Sequence, residues 1–180
     1  MELKLKTISQ DGIAEAISKA EHYRHLHEPE ESESICHDIL AVDPENQTAL
    51  RILGLAITDE FTGEASDRYS EAEATFQRLT DPYQQQYCMG LLCERQAKKQ
   101  MRARRPAHAV TALFHEAMRH FEAAEKIHPP NNDDAILRWN RCVRLLEKFP
   151  KVEWPEPQEA FEDHDTAPVA ASPWSAKSSK

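Results

Sequence analysis

Nine histidines and four cysteines are the residues of this 180-residue chain best suited to chemistry. A metal site takes three or four convergent ligands. The pairs Glu21/His25, Glu33/His37 and Glu116/His120 each stand four residues apart, which places a carboxylate and an imidazole on one helix face. No His-x3-His occurs, and His22, His25 and His27 do not share a face, so exposed polar histidines and no bound metal or cofactor are expected. Cys36, Cys88, Cys93 and Cys142 show no C-x-x-C spacing and read as reduced, mostly buried thiols. Cys93 stands beside Glu94 without a positioned base. Gly-rich phosphate loops, G-x-S-x-G and H-E-x-x-H are all missing from the sequence, so a non-catalytic protein is expected.

The other concentrated chemistry is charge. Arg95, Lys98, Lys99, Arg102, Arg104 and Arg105 put six cations into eleven residues. They fit an anion or acidic-partner dock, and equally a solvated helix face. No aromatic interrupts the run, which speaks against single-stranded nucleic acid. The whole chain has 22 basic and 31 acidic residues, a net charge of −9, which disfavours bulk nucleic-acid binding. That charge is uneven: −7 over residues 1–50, −4 over 51–90, +5 over 91–149 and −3 over 150–180.

These groups must be held by helices. Four glycines in 180 residues leave little room for turns between strands, and apolar residues recur at helical spacing. Val110, Leu113, Phe114, Ala117, Phe121 and Ala124 form one such stripe. Asp43-Pro44, Asp81-Pro82, Pro106 and Pro129-Pro130 mark boundaries, because proline cannot continue a helix interior. Asn131 to Asp134 form a capping cluster for a last helix. The pattern predicts seven helices, at about 11–26, 31–42, 46–59, 70–80, 83–104, 107–127 and 132–148. Residues 150–180 hold five of the eleven prolines and lose the apolar periodicity, and a disordered acidic tail is expected there. Its Glu153, Glu156, Glu159, Glu162, Asp163 and Asp165, with Trp154 and Phe161, suit a tethered competitor for the basic region or for a groove. The longest apolar run, Ile52–Ile57, is far short of the ~20 residues that span a membrane. With no secretory h-region at the N-terminus, a cytoplasmic location is expected.

The helices repeat. Ala20, Ser32 and Cys36 in one pair correspond to Gly54, Ala72 and Phe76 in the next, and to Gly90, Ala117 and Phe121 in a third. A small residue on each first helix faces a small residue on the second, with a bulky ring four positions on in two of the three units. This arrangement resembles the tetratricopeptide repeat over residues 13–129, with a capping helix at 132–148. The resemblance implies an all-α fold, a right-handed superhelical stack of antiparallel helix pairs over residues 1–149. Two departures stand out. The small residues of the second unit are six positions too far apart, through an insertion containing Phe61, Gly63 and Ser66 that reads as a loop. Those of the third unit are fifteen too far apart, through helix-forming residues, so its hairpin should be about two turns longer than the family's and protrude. Its tip would be Arg102, Arg104, Arg105 and Pro106. Trp139 replaces the small residue in the last helix and should cover the open end.

By that resemblance, the first helix of each unit lines a groove for a peptide or protein segment. The lining would comprise Ile17, Glu21, Arg24 and His25, then Arg51, Leu55 and Thr58, then Gln84, Tyr87, Leu91, Glu94 and Arg95, and finally Ile136, Asn140 and Arg144. The family's clamp for a terminal carboxylate does not carry over, because Glu21 would repel the carboxylate and Leu55 is no amide. The expected function is a protein–protein interaction module or adaptor whose partner is a protein or peptide, acidic if the basic hairpin takes part. A second reading is a scaffold that self-associates head to tail through complementary charge. A third is a regulator that binds a metal or small ligand through the histidines.

Overall fold

The computed structural model describes residues 3–64 and 67–148. Among them are seven α-helices and no strand: α1 (Ile13–His25), α2 (Pro29–Val42), α3 (Gln47–Asp59), α4 (Tyr69–Gln77), α5 (Pro82–Arg102), α6 (Ala107–Glu125) and α7 (Asp134–Lys148). All belong to a unit ending at Pro150. The expectations for residues 150–180 lie outside the described residues.

Capping chemistry sets the helix ends. Asn46 accepts a hydrogen bond from the Ala49 amide at 3.0 Å, and Asp81 accepts one from the Gln84 amide at 3.1 Å. Each satisfies one of the orphan donors that open a helix. Pro29 and Pro82 occupy first-turn positions, where a missing N–H costs nothing. The α1–α2 and α5–α6 turns close alike. His27 (φ 61°) and Arg104 (φ 55°) adopt the left-handed conformation, and the next amide reaches back to the Tyr23 and Gln100 carbonyls respectively. This is the Schellman arrangement, built here without glycine.

Each helix packs against the next in sequence. In addition, α3 packs against both α1 and α5, while no two even-numbered helices pack comparably among the described residues. The paired small residues sit where the helices cross: Ala20, Ser32, Ala72 and Ala117 are all fully buried. A Cβ built on Gly54 would lie 2.3 Å from the Phe76 ring, and one on Gly90 would lie 2.5 Å from the Phe121 ring. Each ring therefore occupies the space that a side chain on its glycine would need. Cys36, also fully buried, stands at the matching place in the first unit. Trp139 packs half-buried against the same continuous core.

At 21 and 19 residues, α5 and α6 are the longest helices, as the second insertion requires. Their far end does not stand clear of the rest. The α3–α4 connection folds onto it, with Phe61 buried and stacked on Tyr69 at 6.4 Å. Asp67 gathers the connection by accepting from the Thr62 and Gly63 amides at 3.0 and 2.8 Å. Arg105 donates to the Gly63 carbonyl at 3.2 Å and to Glu64 at 2.5 Å. The two insertions thus pack on each other, which corrects the expectation of a freely protruding hairpin. Loop and helix extension are adjacent in space although about 35 residues separate them in sequence.

Gly63 makes that contact possible. Its φ is +91°, and a Cβ there would fall 2.7 Å from backbone atoms of Lys99. Backbone cannot swing aside as a side-chain tip can, and an L-residue at this φ is strained. Gly63→Ala should cost about 2 kcal/mol in urea unfolding. It should also speed tryptic cleavage at Arg102 and Arg104; unchanged stability and cleavage would mean that the loop does not bear on α5.

Candidate functional site

The odd-numbered helices bring most of the sequence-predicted groove residues together. Asp59, at the end of α3, lies between two arginines. Its Oδ2 accepts from Arg24 Nε of α1 at 2.9 Å, and its Oδ1 accepts from Arg95 Nη1 of α5 at 2.6 Å. The same Nη1 donates to the Leu55 carbonyl at 2.9 Å and to Thr58 Oγ1 at 2.5 Å. Burial pulls the Arg95 pKa down, and the Asp59 charge opposes that shift. One polar network therefore ties three successive odd helices at a single level.

A second set of contacts lies beside it. Arg51 of α3 donates to Glu21 of α1 at 3.2 Å. Glu94 of α5, fully buried, pairs with Lys98 on its own helix and lies 3.6 Å from Arg138 of α7. Burial pulls Arg138 downward, but its hydrogen bond to Tyr87 and the charge of Glu94 hold it above the usual arginine value. Tyr87 is itself stacked on Tyr83 at 5.9 Å and tilted against Phe121 at 6.0 Å.

Not every predicted lining residue is open. Leu55 and Leu91 are buried in the core and offer no open apolar pocket. Arg24 and Arg95 are largely consumed by Asp59, their side chains 18% and 23% exposed. His25 and Arg144 are exposed, and Arg51, Tyr87 and Asn140 are half-buried. Arg51 also lines an open cavity of about 270 Å³ with Thr48, Thr80 and Gln84. Sequence reasoning missed Arg138. Nothing in the sequence signalled it, because the burial of Glu94 that draws Arg138 is set by packing.

The basic run does not form a common surface either. Arg95 belongs to the network above, Lys98 to Glu94, and Arg105 to the α3–α4 connection. Lys99 is half-buried, while Arg102 and Arg104 are exposed at the turn. Six adjacent cations in sequence serve at least three different neighbourhoods.

Charge instead divides between the two sets of helices. The odd-numbered helices carry eleven Lys and Arg against six Asp and Glu, and the even-numbered helices carry one against nine. The excess of cations lies wholly in α5 and α7, since α1 and α3 each balance, whereas all three even-numbered helices are net acidic. Arg68 shows how acidic the even side is. It donates to both oxygens of Glu33, at 2.7 and 2.8 Å, and to both of Glu71, at 2.6 Å. Its guanidinium holds the Glu33 and Glu71 carboxyls below their usual range. Glu60, 3.6 Å from Arg68, is pushed up by burial and by the Glu33 charge.

Two of the three predicted carboxylate–imidazole pairs form, Glu33–His37 at 3.4 Å and Glu116–His120 at 3.5 Å. The Glu21 carboxylate turns to Arg51 instead. Among the described residues, no group of three or more His, Cys, Asp or Glu side chains could hold a metal ion. The cysteines are all buried. Burial pushes the thiols of Cys36 and Cys142 up to about 12, that of Cys88 to about 11, and that of Cys93 upward as well. They are therefore protonated packing groups at neutral pH, the state least suited to nucleophilic attack. Among the described residues, no helix is long and apolar enough to cross a membrane.

Protein-family models, curated proteins and solved structures offer no match to this chain.

Proposed function

We propose that this protein is a non-catalytic interaction module, a tetratricopeptide-like stack of three helix pairs and a capping helix that holds a partner segment along its odd-numbered helices. The observation that carries this reading is the asymmetry of packing. Helix α3 packs against both α1 and α5, and no two even-numbered helices pack to that extent among the described residues. A stack with one row drawn together and the other spread is curved toward the first row. Curvature of that kind makes the inner row an extended binding surface. Two further observations support the reading. Gly54 with Phe76 and Gly90 with Phe121 repeat one close-packed crossing in successive pairs. The inner row also carries polar side chains whose positions are fixed by their neighbours, and a binding surface fixed before the partner arrives loses less entropy on docking.

Photo-crosslinking tests the assignment of the face. A photoreactive residue replacing Arg51 or Arg144 on the inner row should yield adducts with a partner protein in the native cell. The same residue replacing Asp38 or Glu122 on the even helices should give several-fold fewer. Equal or greater yield from the even helices would sink the reading.

A further inference from the structure

Resting on that reading of the odd-numbered helices as the binding face, we propose that Glu94 and Arg138 together receive one primary amide of the partner, the side chain of a glutamine or asparagine. The argument starts from an unmet hydrogen bond. Glu94 is fully buried on α5, and its Oε1 takes Lys98. Its Oε2 is buried as well and accepts from nothing among the described residues. Arg138 Nη1 of α7 stands 3.6 Å away, inside ion-pair range but beyond hydrogen-bond distance. A buried carboxylate oxygen without a donor is a standing cost. Costs of this kind collect at functional sites.

The second step is access. Glu94 is closed, but the Arg138 side chain is 40% exposed. Tyr87, which bonds to Arg138, is half-buried. Rotation of that one arginine side chain opens a way to Oε2 without parting the helices. Contacts with Tyr83 and Phe121 hold the Tyr87 ring in place, so its edge can cover the methylenes of an entering side chain.

The third step is chemistry. Lys98 and Arg138 already bring two cations to the one carboxylate. A third, carried by a lysine or arginine of the partner, would meet like charge. A carboxylate would be drawn to the cations, but it has no proton to give Oε2 and would set its own charge against it. A neutral group that donates to Oε2 and accepts from Nη1 suits both. A backbone peptide does not, because the trans linkage points its N–H and C=O in opposite directions. A primary amide carries an N–H and its carbonyl on one edge, and so spans an acceptor and a donor lying side by side, as it does on the edge of a base.

The test uses the full chain, labelled for heteronuclear NMR, and four blocked alanine pentapeptides at millimolar concentration. Their central residue is glutamine, glutamate, lysine, or glutamine dimethylated on its amide, which keeps the carbonyl and loses both donors. The glutamine peptide should shift the Trp139 indole signal, next to Arg138 in the chain, and the backbone signals of Tyr87, Glu94 and Arg138. It should bind at least about fivefold more tightly than the other three, since a site built to hydrogen-bond one group rejects analogues that lack it. Glu94→Gln keeps the shape and removes the charge, leaving two cations, so it should reverse the order and favour the glutamate peptide. Should that variant fail to fold, glutamine against its dimethylated analogue in the wild type decides alone. If the glutamine peptide shifted odd-numbered helices away from these residues, the assignment to Glu94 would fall while the face stood. If its shifts gathered on α2, α4 and α6, the face itself would be wrong. Equal binding of the dimethylated or charged peptides, no binding by any peptide, or an unchanged order in Glu94→Gln would each overturn the proposal.

Discussion

Replacing Gly54 or Gly90 by alanine should destabilise the protein by about 2 kcal/mol, although alanine is the better helix former. Mid-helix Gly→Ala normally gains about 1 kcal/mol. Here the added methyl would enter the Phe76 or Phe121 ring at 2.3 or 2.5 Å, well inside contact distance. Both rings are fully buried and have nowhere to swing, and overpacking a closed core costs about 1–3 kcal/mol or more. Urea denaturation of each variant measures the loss. A double-mutant cycle then locates its cause, because Phe121→Leu makes room at Gly90. Gly90→Ala combined with Phe121→Leu should lose at least 1 kcal/mol less than the sum of the single variants. An increase in stability for either glycine variant alone would show that the ring does not fill that space.

Arg95→Ala should cost about 3 kcal/mol, while Arg102→Ala, seven residues further along the same basic run, should lie within about 0.5 kcal/mol of wild type. Arg95 serves the Leu55 carbonyl, the Thr58 hydroxyl and Asp59, and its loss removes all three contacts and leaves Asp59 with Arg24 alone. Arg102 is exposed at the end of α5. Chemical denaturation at low and at high salt separates a buried network from surface attraction, since only the latter is screened. Similar losses for the two variants would mean that the α1–α3–α5 network adds nothing beyond general charge.

Much of the helical layout was legible in the sequence, for reasons that are local. Asn46, Asp81 and Pro82 cap or open helices wherever they occur, and the predicted boundaries fall within a few residues of those observed. The sequence pairs Gly54 with Ala72 and Gly90 with Ala117 by resemblance, and the structure adds that the Phe76 and Phe121 rings four positions on lie against the glycines themselves. What could not be read was long-range. Phe61 and Gly63 look like ordinary loop residues until the loop is seen against Lys99. Adjacent basic residues looked equivalent, yet Arg95 meets Asp59 while Arg102, two turns further along the same face, stays in water at the last position of α5. Among candidate groove residues, Arg144 is exposed and Arg51 half-buried, but Leu55 and Leu91 are closed by packing that no single helix reveals. Arg138 became visible only through the buried carboxylate that it approaches on a neighbouring helix.

The contact between Gly63 and Lys99 also changes how the stack comes apart. In a chain of helices that touch only near neighbours, stability is a sum of local terms, and either end can fray independently. The α3–α4 connection breaks that rule by clasping the far end of the next hairpin through Phe61, Gly63 and Arg105. Helices α3 to α6 are thereby tied to one another and should open together in native-state hydrogen exchange. The α1–α2 pair lies outside that clasp and is tied to the block by ion pairs such as Arg24–Asp59 and Arg51–Glu21, so it can open separately. Because α1 contributes Glu21 and Arg24 to the contacts with α3, that opening would release Arg51 and Asp59 from their partners there. Glu21 and Arg24 carry opposite charges, so the net charge left behind would not change, but Arg51 would lose its carboxylate while Asp59 kept Arg95.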